Sequence, residues 1–260
     1  MLKGKCALIT GSTQGLGYAM AERLAAQGCH VVLNGFGDPA TIEARRRHLE
    51  DSHGVRALHH GADLGVPGEI AQLVDTAERT FGTVDIVINN AVVRHFAPLE
   101  QFKVEDWDRA LAVNLSAAFH LTRLILPGMR RRDFGRIVNI SSVYGLFGTV
   151  NRVDYVTTKT ALIGLTRAVA LEVAGQNITC NALCPGTVPT PAIEERLAGF
   201  MTEQGLSGEN AIKAFMASRQ PSGRFVSMEG VAALAAFLCG PAGGDITGAA
   251  IPIDGGWSAS

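Results

Sequence analysis

Seven short apolar runs, rich in β-branched residues, alternate with longer helical patterns along the 260 residues of the chain. This alternation favours a sheet of parallel strands, because each parallel pair needs a crossover connection that is usually a helix. The runs are apolar at successive positions, which is typical of strands that helices cover on both faces. The predicted strands are residues 7–10, 31–34, 57–60, 84–89, 136–140, 177–183 and 250–253.

These elements predict an α/β fold, namely a single doubly wound domain of the Rossmann type over residues 1–260 with a seven-stranded parallel sheet. Helices are predicted over residues 19–27, 67–81 and 154–174, each of which a glycine follows. Residues 189–223 are punctuated by proline and glycine, are helical in the middle and contain no strand pattern. We expect this segment to be a small helical insertion that acts as a lid over a binding site.

The composition excludes several classes of protein. Hydrophobic residues make up 47% of the chain, charged residues 18%, and the formal net charge is −1. Such a chain is not disordered, and its near-neutral charge argues against a protein that binds nucleic acid or a membrane surface. Each apolar run is shorter than the roughly 20 residues that span a bilayer, so we expect no transmembrane helix. The first residues enter a strand pattern without a leader-like segment, and we expect a cytoplasmic location.

A glycine-rich stretch separates the first predicted strand from the helix that follows it. The spacing of its glycines is GxxxGxG rather than GxGxxG. Glycines in such a turn let a pyrophosphate approach the backbone closely, and the helix N-terminus supplies free N–H groups. An ordinary tight turn would use the same residue type, but the place of this one in the alternating chain favours a dinucleotide site. The candidate cofactor-binding residues here are Gly11, Thr13, Gly15, Leu16 and Gly17.

Polar residues follow two further predicted strands. Asp63 and Leu64 come after the third strand, and Asn89-Asn90-Ala91 comes after the fourth. Ligands of open parallel sheets bind beyond the carboxyl ends of the strands, so Asp63, Leu64, Asn90 and Ala91 are candidate cofactor-binding residues. Asp63 is suited to accept a hydrogen bond from an adenine amino group. Alternatively, Asp63 caps the next helix and the two asparagines only form a turn.

The end of the second predicted strand bears on the choice between NAD and NADP. A free ribose 2′-hydroxyl prefers an acidic acceptor, whereas a 2′-phosphate needs arginine or lysine. Residues 34–38, which include the candidate cofactor-binding residue Phe36, contain no basic side chain, and neither do residues 12–14. The sequence therefore favours NAD over NADP. The arginines at residues 45–47 lie farther along a helix, where we expect a solvated face.

Tyr155 and Lys159 are four residues apart at the start of a predicted helix and therefore share one of its faces. A phenol has a pKa near 10 and is a poor base at neutral pH, but a neighbouring ammonium group stabilises the phenolate and lowers that pKa. The pair is suited to proton transfer, although most such pairs belong only to a helix surface. Ser141 and Ser142 end the fifth predicted strand, so a hydroxyl group is available at the same edge of the sheet.

With these features together, the sequence resembles the short-chain dehydrogenase/reductase family over essentially its whole length. The resemblance implies a homotetramer that transfers hydride between a nicotinamide cofactor and a CH–OH group. Val92 departs from the family pattern, in which a glycine usually follows the Asn-Asn-Ala motif. A β-branched residue disfavours positive φ, so we expect the turn to differ or to be strained. The matching residues are the glycine-rich turn, Asp63, Asn89-Asn90-Ala91, Asn114, Ser142, Tyr155, Lys159 and the stretch Pro185-Gly186-Thr187-Val188-Pro189-Thr190.

The resemblance assigns roles to these residues. It implies that Tyr155 is the general acid or base, that Ser142 polarises the substrate oxygen and that Asn114 holds a proton-relay water. It also implies that Lys159 binds the nicotinamide ribose and tunes Tyr155, and that Thr190 contacts the carboxamide. These roles fit the chemistry, because hydride transfer creates an alkoxide that needs a proton donor and hydrogen bonds at one oxygen. The cofactor-binding candidates that the resemblance adds are Tyr155, Lys159, Pro185, Gly186, Val188 and Thr190.

Residues 34–38, 114–117 and 254–257 are similar to those of one branch of the family, which acts on a short 3-hydroxy carboxylate. Arg152 stands where that branch has a lysine, so a charge that binds anions is retained. Arg94 and Arg196 replace glutamines, and Thr187 replaces a tryptophan. Because the planar fork of arginine suits a carboxylate or phosphate, we expect a 3-oxo or 3-hydroxy acid bulkier or more anionic than acetoacetate. Alternatively, Arg94 and Arg196 are exposed charges that only steer anions. The substrate-binding candidates are Arg94, Tyr144 in place of a histidine, Arg152, Thr187, Arg196 and Trp257.

Three other functions remain open. A 3-oxoacyl carrier-protein reductase uses the same chemistry but commonly with NADP, and a polyol or sugar dehydrogenase gives no reason for arginines in the pocket. A sensor that binds NAD without catalysis would not need the catalytic residues. The seven histidines form no HExxH or comparable cluster, so no metal site is predicted. The arginines at residues 130–132 are expected to be a solvated helix end rather than a nucleic-acid contact.

Overall fold

Seven strands form one parallel sheet in the computed structural model, which describes residues 2–217 and 219–260. The strands are β1 (Cys6–Ile9), β2 (His30–Asn34), β3 (Ala57–His60), β4 (Ile86–Asn89), β5 (Gly135–Ile140), β6 (Ile178–Pro185) and β7 (Ala250–Ile253). Their order across the sheet is β3-β2-β1-β4-β5-β6-β7. The predicted α/β fold with seven parallel strands is therefore confirmed, and β3 and β7 have the predicted bounds.

Helices cover both faces of the sheet. Successive residues of β1 point to opposite layers, since Ile9 packs with Met20 in one apolar cluster and Leu8 packs with Leu73 in the other. The core is therefore two apolar layers, one on each face. The helices are α1 (Gly15–Ala25), α2 (Pro39–His53), α3 (Pro67–Phe81), α4 (Val104–Ala110), α5 (Ala117–Arg132), α6 (Val153–Val173), α7 (Pro191–Gln204), α8 (Gly208–Met216) and α9 (Met228–Cys239).

The predicted helices differ from the observed ones mainly at the first helix. The bounds of α3 are those predicted, and α6 is shifted by one residue. The predicted start of α1 at residue 19 is wrong, because the helix already begins at Gly15. Its first turn contains two of the glycines and so lacks the apolar pattern from which a helix is recognised. The helix consequently starts inside the glycine-rich turn.

One helical stretch qualifies the expectation of no transmembrane helix. Together, α4, the π-helical turn Leu111–Ser116 and α5 form a continuous helical stretch, Val104–Arg132. It has 29 residues and a mean hydropathy of 1.3 over its most apolar 18-residue window, so it is long and apolar enough to cross a membrane. That window is 44% buried inside the protein. Leu121, Ile125 and Met129 belong to one of the two apolar clusters against the sheet, which accounts for much of its apolar composition.

The chain order reverses between β1 and β4, which are neighbours in the sheet although two strands separate them in sequence. A crevice forms at such a point beyond the carboxyl ends of the strands, because the connections leave in opposite directions. The predicted lid, residues 189–223, contains α7 and α8 and no strand among its described residues. Its action as a lid stays a prediction.

Candidate active site

The glycine-rich turn leaves open space beside the start of α1. Gly11 has a left-handed φ of +60°, and a Cβ on it would lie 2.8 Å from the Cα of Ala91. A Cβ on Gly17 would collide with the backbone oxygen of Gly11. Gly15 also has a left-handed φ, of +58°, but it faces open space. Gln14, the N-cap of α1, makes no capping hydrogen bond, so the first N–H groups of the helix are available to a pyrophosphate.

Hydrogen bonds hold this turn against the ends of β4 and β2. Asn90 donates from Nδ2 to the backbone oxygen of Thr10 at 2.9 Å. The Thr10 hydroxyl accepts from the backbone N–H groups of Asn90 at 2.9 Å and Ala91 at 3.0 Å. Thr13 donates from Oγ1 to the backbone oxygen of Phe36 at 2.9 Å. Asn90 and Thr13, which were predicted to bind the cofactor, therefore shape the turn together with Thr10, and their polar groups already have partners.

Asp63 lies beyond the end of β3, but its carboxylate has a partner within the chain. Arg109 of α4 pairs with its two oxygens at 2.8 and 3.1 Å, and the Gly65 N–H donates to it at 2.8 Å. The hydrogen bonds from Arg109 and Gly65 lower the pKa of Asp63. The alternative that Asp63 caps the next helix is wrong, because Val66 is the N-cap residue of α3. An adenine amino group would share Asp63 with Arg109, beside the buried Leu64.

Arg45 contacts the glycine-rich turn from α2. Its guanidinium group donates to the backbone oxygen of Thr13 and lies 5.4 Å from the centroid of the Tyr18 ring. Arg46 forms ion pairs with two glutamates of its own helix at 2.7 and 2.8 Å. The prediction of a solvated face over residues 45–47 is therefore wrong for these two arginines. The partners of Arg45 lie on other elements of the fold, so the helical pattern of α2 does not reveal them.

A buried polar group without a partner lies in the segment after β6. Thr190 Oγ1 is buried and has no hydrogen-bond partner among the residues that the structure describes. Such a group costs free energy, so it is suited to bind a polar group of a ligand. Pro185 ends β6, Gly186 follows where a Cβ would be crowded, and Val188 is buried. Together with the open turn at Gly15, these residues fit a nicotinamide dinucleotide.

Tyr155 and Lys159 lie on one face of α6 and are buried at the carboxyl end of β5. Lys159 Nζ donates to the backbone oxygen of Ile140 at 2.7 Å and lies 5.6 Å from the centroid of the Tyr155 ring. Burial raises the pKa of Tyr155, but Lys159, two arginines and a serine hydroxyl together lower it below its ordinary value. Burial lowers the pKa of Lys159 to about 8. Both groups therefore titrate closer to neutral pH than they do in water, which suits proton transfer.

Ser142 and Asn114 complete the residues predicted for catalysis. Ser142 accepts from the Tyr144 N–H at 3.2 Å, and its hydroxyl lies close enough to Tyr155 to lower the pKa of the phenol. Asn114 is buried in a π-helical turn between α4 and α5, a feature that is frequent at functional sites. Its amide donates to the backbone oxygen of Val93 at 3.0 Å and accepts from the Val93 N–H at 2.8 Å. Asn114 thus fixes the loop after β4, and its contact with a water stays a prediction.

The loop after β4 avoids the strain that Val92 could impose. Among the described residues, Asp133 and Asn151 are the only non-glycine residues with positive φ, so the turn at Val92 differs from a glycine turn instead of being strained. His95 anchors the loop, with Nδ1 2.9 Å from the buried carboxylate of Asp154. No local sequence pattern predicts this pair, because 59 residues separate its two members. Within residues 2–217 and 219–260, no three His, Cys, Asp or Glu side chains are grouped as metal ligands.

The guanidinium group of Arg152 lies against the ring of Tyr155, the predicted catalytic tyrosine, and part of this group makes no hydrogen bond within the described residues. Its guanidinium carbon is 4.4 Å from the centroid of the Tyr155 ring and 4.1 Å from that of Phe96. Its Nε is buried and has no hydrogen-bond partner within residues 2–217 and 219–260. Burial lowers the pKa of Arg152. The phenol of Tyr155 raises this pKa, whereas the positive charge of Arg94 lowers it further. Because Arg94 is 5.5 Å from the same Tyr155 ring, two positive charges face one phenol and favour an anion there.

The wall of the site continues from Tyr155 through two further aromatic rings. Tyr144 lies 6.4 Å from Tyr155 and 5.4 Å from Trp257, measured between ring centroids. Thr187 follows β6, with its backbone N–H bonded to a buried glutamine side chain. Arg196 is exposed on α7. The structure therefore gathers Arg94, Tyr144 and Arg152 around Tyr155, with Trp257 against Tyr144, and it places Arg196 on the predicted lid.

Two residues that were not among the predicted candidates lie in the same region. Phe96, which is 61% exposed, stacks against Arg152 from an irregular loop. Arg219 is partly buried just after α8. Burial lowers the pKa of Arg219. The positive charge of Arg196 lowers this pKa further, whereas the phenol of Tyr144 raises it. Neither Phe96 nor Arg219 belongs to a motif with a characteristic spacing. The only sequence signal for Arg219 is its position after an apolar helical pattern.

Comparisons with known proteins agree with this geometry. The family model described as enoyl-(acyl carrier protein) reductase matches residues 11–258. A D-beta-hydroxybutyrate dehydrogenase from Cupriavidus necator is 42% identical over 259 residues, which cover 100% of both chains. Another from Rhizobium meliloti is 42% identical over 255 residues, or 98% of this chain and 99% of the relative. The crystal structure of L-sorbose reductase from Gluconobacter frateurii, complexed with NADPH and L-sorbose, superposes with a TM-score of 0.93 and 30% identity, over 100% of this chain and 98% of the reductase.

The fold, the site and these matches define the class of the protein. The chain belongs to the short-chain dehydrogenase/reductase family, as the sequence resemblance implied. It is an oxidoreductase of that family, and it is similar over its whole length to two hydroxybutyrate dehydrogenases.

Proposed function

We propose that this protein transfers a hydride between NAD and a 3-hydroxy or 3-oxo carboxylic acid that is larger or more anionic than 3-hydroxybutyrate. The observation that carries the proposal is the position of Arg152. Its guanidinium group lies 4.4 Å from the Tyr155 ring, and its buried Nε has no hydrogen-bond partner in the described part of the chain. A carboxylate bound by this group satisfies the charge and holds the hydroxyl-bearing carbon near the phenol.

The chain's own residues provide the proton chemistry. A bound nicotinamide supplies the hydride acceptor for oxidation or the hydride donor for reduction. During oxidation, the substrate C–H bond breaks with both electrons leaving as hydride, and the hydroxyl proton passes to the oxygen of ionised Tyr155. Ser142 donates a hydrogen bond to the same substrate oxygen. The lowered pKa of Tyr155 increases the fraction of phenolate that can act as the base.

Two features support a substrate beyond 3-hydroxybutyrate. Thr187 presents a small side chain where the similar branch of the family has a tryptophan, and a smaller side chain favours a longer substrate beside it. Arg94 and Arg196 add positive charge at the rim of the site, where both are exposed. Both features favour an acid that is longer or more highly charged than a four-carbon monocarboxylate.

A neutral polyhydroxy compound is the second candidate substrate, because the L-sorbose reductase shares the fold. A neutral sugar would leave the partly buried Arg152 without a counter-charge. An unpaired charge of this kind is costly, whereas an anion relieves the cost. The acid is therefore the better match to the site.

We further infer that the protein prefers NAD over NADP. Residues 34–38 offer no basic side chain to a 2′-phosphate, and the Asp38 carboxylate accepts from Thr41 at 2.7 and 2.8 Å. Arg45 reaches the glycine-rich turn, but its guanidinium group already donates to Thr13. A 2′-phosphate would have to compete for that contact.

The proposed assembly is a cytoplasmic homotetramer, in line with the family resemblance. Phe119 of α5 and Leu171 of α6 are 47% and 80% exposed, so both helices present apolar side chains to solvent. Such side chains favour contact with another subunit. Light scattering of the purified protein tests the assembly, and a monomer would contradict it.

The function is tested by the absorbance of reduced nicotinamide with a panel of 3-hydroxy acids and polyols, each with NAD and NADP. We expect the 3-hydroxy acids to be oxidised and NAD to give the higher kcat/KM. Tyr155→Phe is the control that binds the cofactor without appreciable turnover. The proposal fails if polyols exceed every hydroxy acid, and the enlarged substrate fails if 3-hydroxybutyrate is by far the best acid.

A further inference from the structure

The loop after β4 carries Arg94, one of the arginines beside Tyr155. Residues 91–98 form no helix or strand, and Arg94 is exposed. Its guanidinium carbon nevertheless lies 5.5 Å from the centroid of the Tyr155 ring. Holding a long side chain in one geometry costs rotamer freedom, and an exposed charge gains little to offset that cost. The position of Arg94 beside the phenol therefore depends on what holds the backbone of the loop.

Both sequence neighbours of Arg94 are anchored to other elements. On one side, the side-chain amide of Asn114 makes two hydrogen bonds with the backbone of Val93, at 2.8 and 3.0 Å. On the other side, Nδ1 of His95 lies 2.9 Å from Oδ2 of Asp154, whose side chain is fully buried. Arg94 is thus held between a contact with the π-helical turn and a contact with α6.

The carboxylate of Asp154 also contacts the predicted catalytic tyrosine. Its second oxygen, Oδ1, accepts from the Tyr155 N–H at 2.6 Å. A buried carboxylate is costly unless it is paired and hydrogen-bonded. Within residues 2–217 and 219–260, His95 is the only basic side chain at ion-pair distance from Asp154. One carboxylate therefore fixes the loop that carries Arg94 relative to the start of α6, where Tyr155 lies.

The second nitrogen of His95 has a weaker contact. Nε2 lies 3.5 Å from Oδ1 of Asp106 on α4, and the Asp106 side chain is 40% exposed. Pairs at such exposed positions contribute little, because solvent screens them. The contact with the buried Asp154 is therefore the one that should hold the loop.

We infer that His95 and Asp154 are positioning residues, and that their contact holds Arg94 where its charge binds the carboxylate of the substrate beside Tyr155. The inference rests on the proposed function, because it requires an anionic substrate. In it, neither His95 nor Asp154 touches the substrate, and both act through Arg94. Loss of the contact should therefore weaken binding of the acid as much as loss of the Arg94 charge does.

The test compares an acid with its uncharged analogue. The ratio of kcat/KM for 3-hydroxyhexanoate to that for its methyl ester measures the contribution of the carboxylate charge, and it does not depend on the fraction of protein that is folded. We expect the unaltered protein to prefer the acid. Arg94→Gln should lower the ratio by roughly two- to fivefold, through KM for the acid, as expected for one exposed charge. A merely structural role of His95 would leave the ratio unchanged.

Two amide substitutions separate the contacts of His95. His95→Asn keeps an N–H donor near the position of Nδ1, facing Asp154, and should keep the ratio. His95→Gln places its donor near the position of Nε2, facing Asp106, and should lower the ratio by the same two- to fivefold, roughly, as Arg94→Gln. Asp106→Asn is the matched control, since it changes only the exposed contact, and it should keep the ratio.

A double variant shows whether His95 acts through Arg94. When Arg94→Gln is already present, His95→Gln should lower the ratio no further, because two changes that remove the same interaction are not additive. Losses that multiply in the double variant would overturn the inference.

The outcomes separate this inference from the proposed function. If neither compound is oxidised, or if the unaltered protein does not prefer the acid, the proposed function itself is wrong. If the acid is preferred but either Arg94→Gln or His95→Gln keeps the ratio, the inference is wrong and the proposed function stands. The same holds if Asp106→Asn lowers the ratio as much as His95→Gln does. If His95→Gln does not fold, His95→Asn decides the matter: a retained ratio supports the inference, and a ratio as low as that of Arg94→Gln overturns it.

Discussion

The cofactor side and the substrate side of the crevice lie along one edge of the sheet but are built differently. On the cofactor side, Asn90 and Thr10 already use their hydrogen-bonding groups to shape the turn, and α1 offers free N–H groups. On the substrate side, Arg152 is partly buried, and its Nε has no hydrogen-bond partner within residues 2–217 and 219–260. The turn on the cofactor side is held by the chain's own hydrogen bonds, whereas the positive charge of Arg152 on the substrate side favours an anion. Substitutions on the cofactor side should therefore affect cofactor binding through the shape of the turn. Substitutions on the substrate side should affect substrate binding through loss of charge.

The largest effect is expected at Tyr155, where the two halves meet. Tyr155→Phe removes the phenol oxygen that exchanges the proton but retains the ring against which Arg152 packs. We expect kcat to fall by roughly 10²- to 10⁴-fold, the usual contribution of general acid–base catalysis. Steady-state rates measure the loss. Fluorescence titration with reduced cofactor should show a much smaller change in Kd than in kcat, and a variant that retains most of its kcat would show that another group transfers the proton.

On the cofactor side, the sharpest test is steric. Gly17→Ala introduces a methyl group that collides with the backbone oxygen of Gly11. Overpacking of this kind costs about 1–3 kcal/mol, so the Kd for the cofactor should rise by roughly ten- to a hundredfold. Fluorescence titration measures the Kd. Gly199→Ala is the control, because a Cβ there has open space on α7, and equal affinities of the two variants would show that the turn is not the phosphate site.

On the substrate side, the corresponding test changes charge. Arg152→Gln removes a guanidinium group 4.4 Å from the Tyr155 ring. We expect KM for 3-hydroxy acids to rise by roughly tenfold or more, the value of one charge-assisted hydrogen bond, with the cofactor Kd unchanged. Arg94→Gln should raise KM less, because Arg94 is exposed. If Arg152→Gln impaired cofactor binding instead, the proposed division between the two halves would be wrong.

The sequence predicts those features that depend on a pattern of neighbouring residues, such as a strand or one face of a helix. Alternation of apolar runs with helical patterns gives the seven strands, because each strand is buried on both faces and shows an apolar pattern. The spacing of Tyr155 and Lys159 similarly places both residues on one helical face. The start of α1 could not be predicted in this way, since Gly15 and Gly17 provide no apolar side chain in its first turn.

The residues that sequence reasoning missed depend on contacts between distant elements. Arg45 is part of an arginine run that a helical pattern places in solvent, yet its partner Thr13 lies 32 residues away. His95 and Asp154 are 59 residues apart and meet only because the loop after β4 packs on α6. Arg219 differs from other arginines only through its burial, which a single sequence does not reveal.

The smallest expected effect is a shift in the pH profile of kcat/KM. This shift distinguishes positive groups that lower the pKa of Tyr155 from positive groups that only bind the substrate. Oxidation requires ionised Tyr155, whose pKa is lowered below its ordinary value. Its kcat/KM should therefore rise with pH and level off below pH 10, the usual pKa of a phenol, while the rate of reduction falls over the same range. After burial, Lys159 and then Arg94 are the largest influences on this pKa, and both lower it.

Removal of either charge should therefore move the rise toward alkaline pH, by more for Lys159→Met than for Arg94→Gln. Arg167→Gln is the matched control, because Arg167 is exposed on the same helix and does not contribute to the shift. Profiles of kcat/KM for one 3-hydroxy acid measure the effect. A shift of the Arg94→Gln profile toward acid pH would mean that Arg94 does not stabilise the phenolate. Its charge would then act on the substrate alone, and the cationic groups that tune the base would be distinct from those that bind the anion.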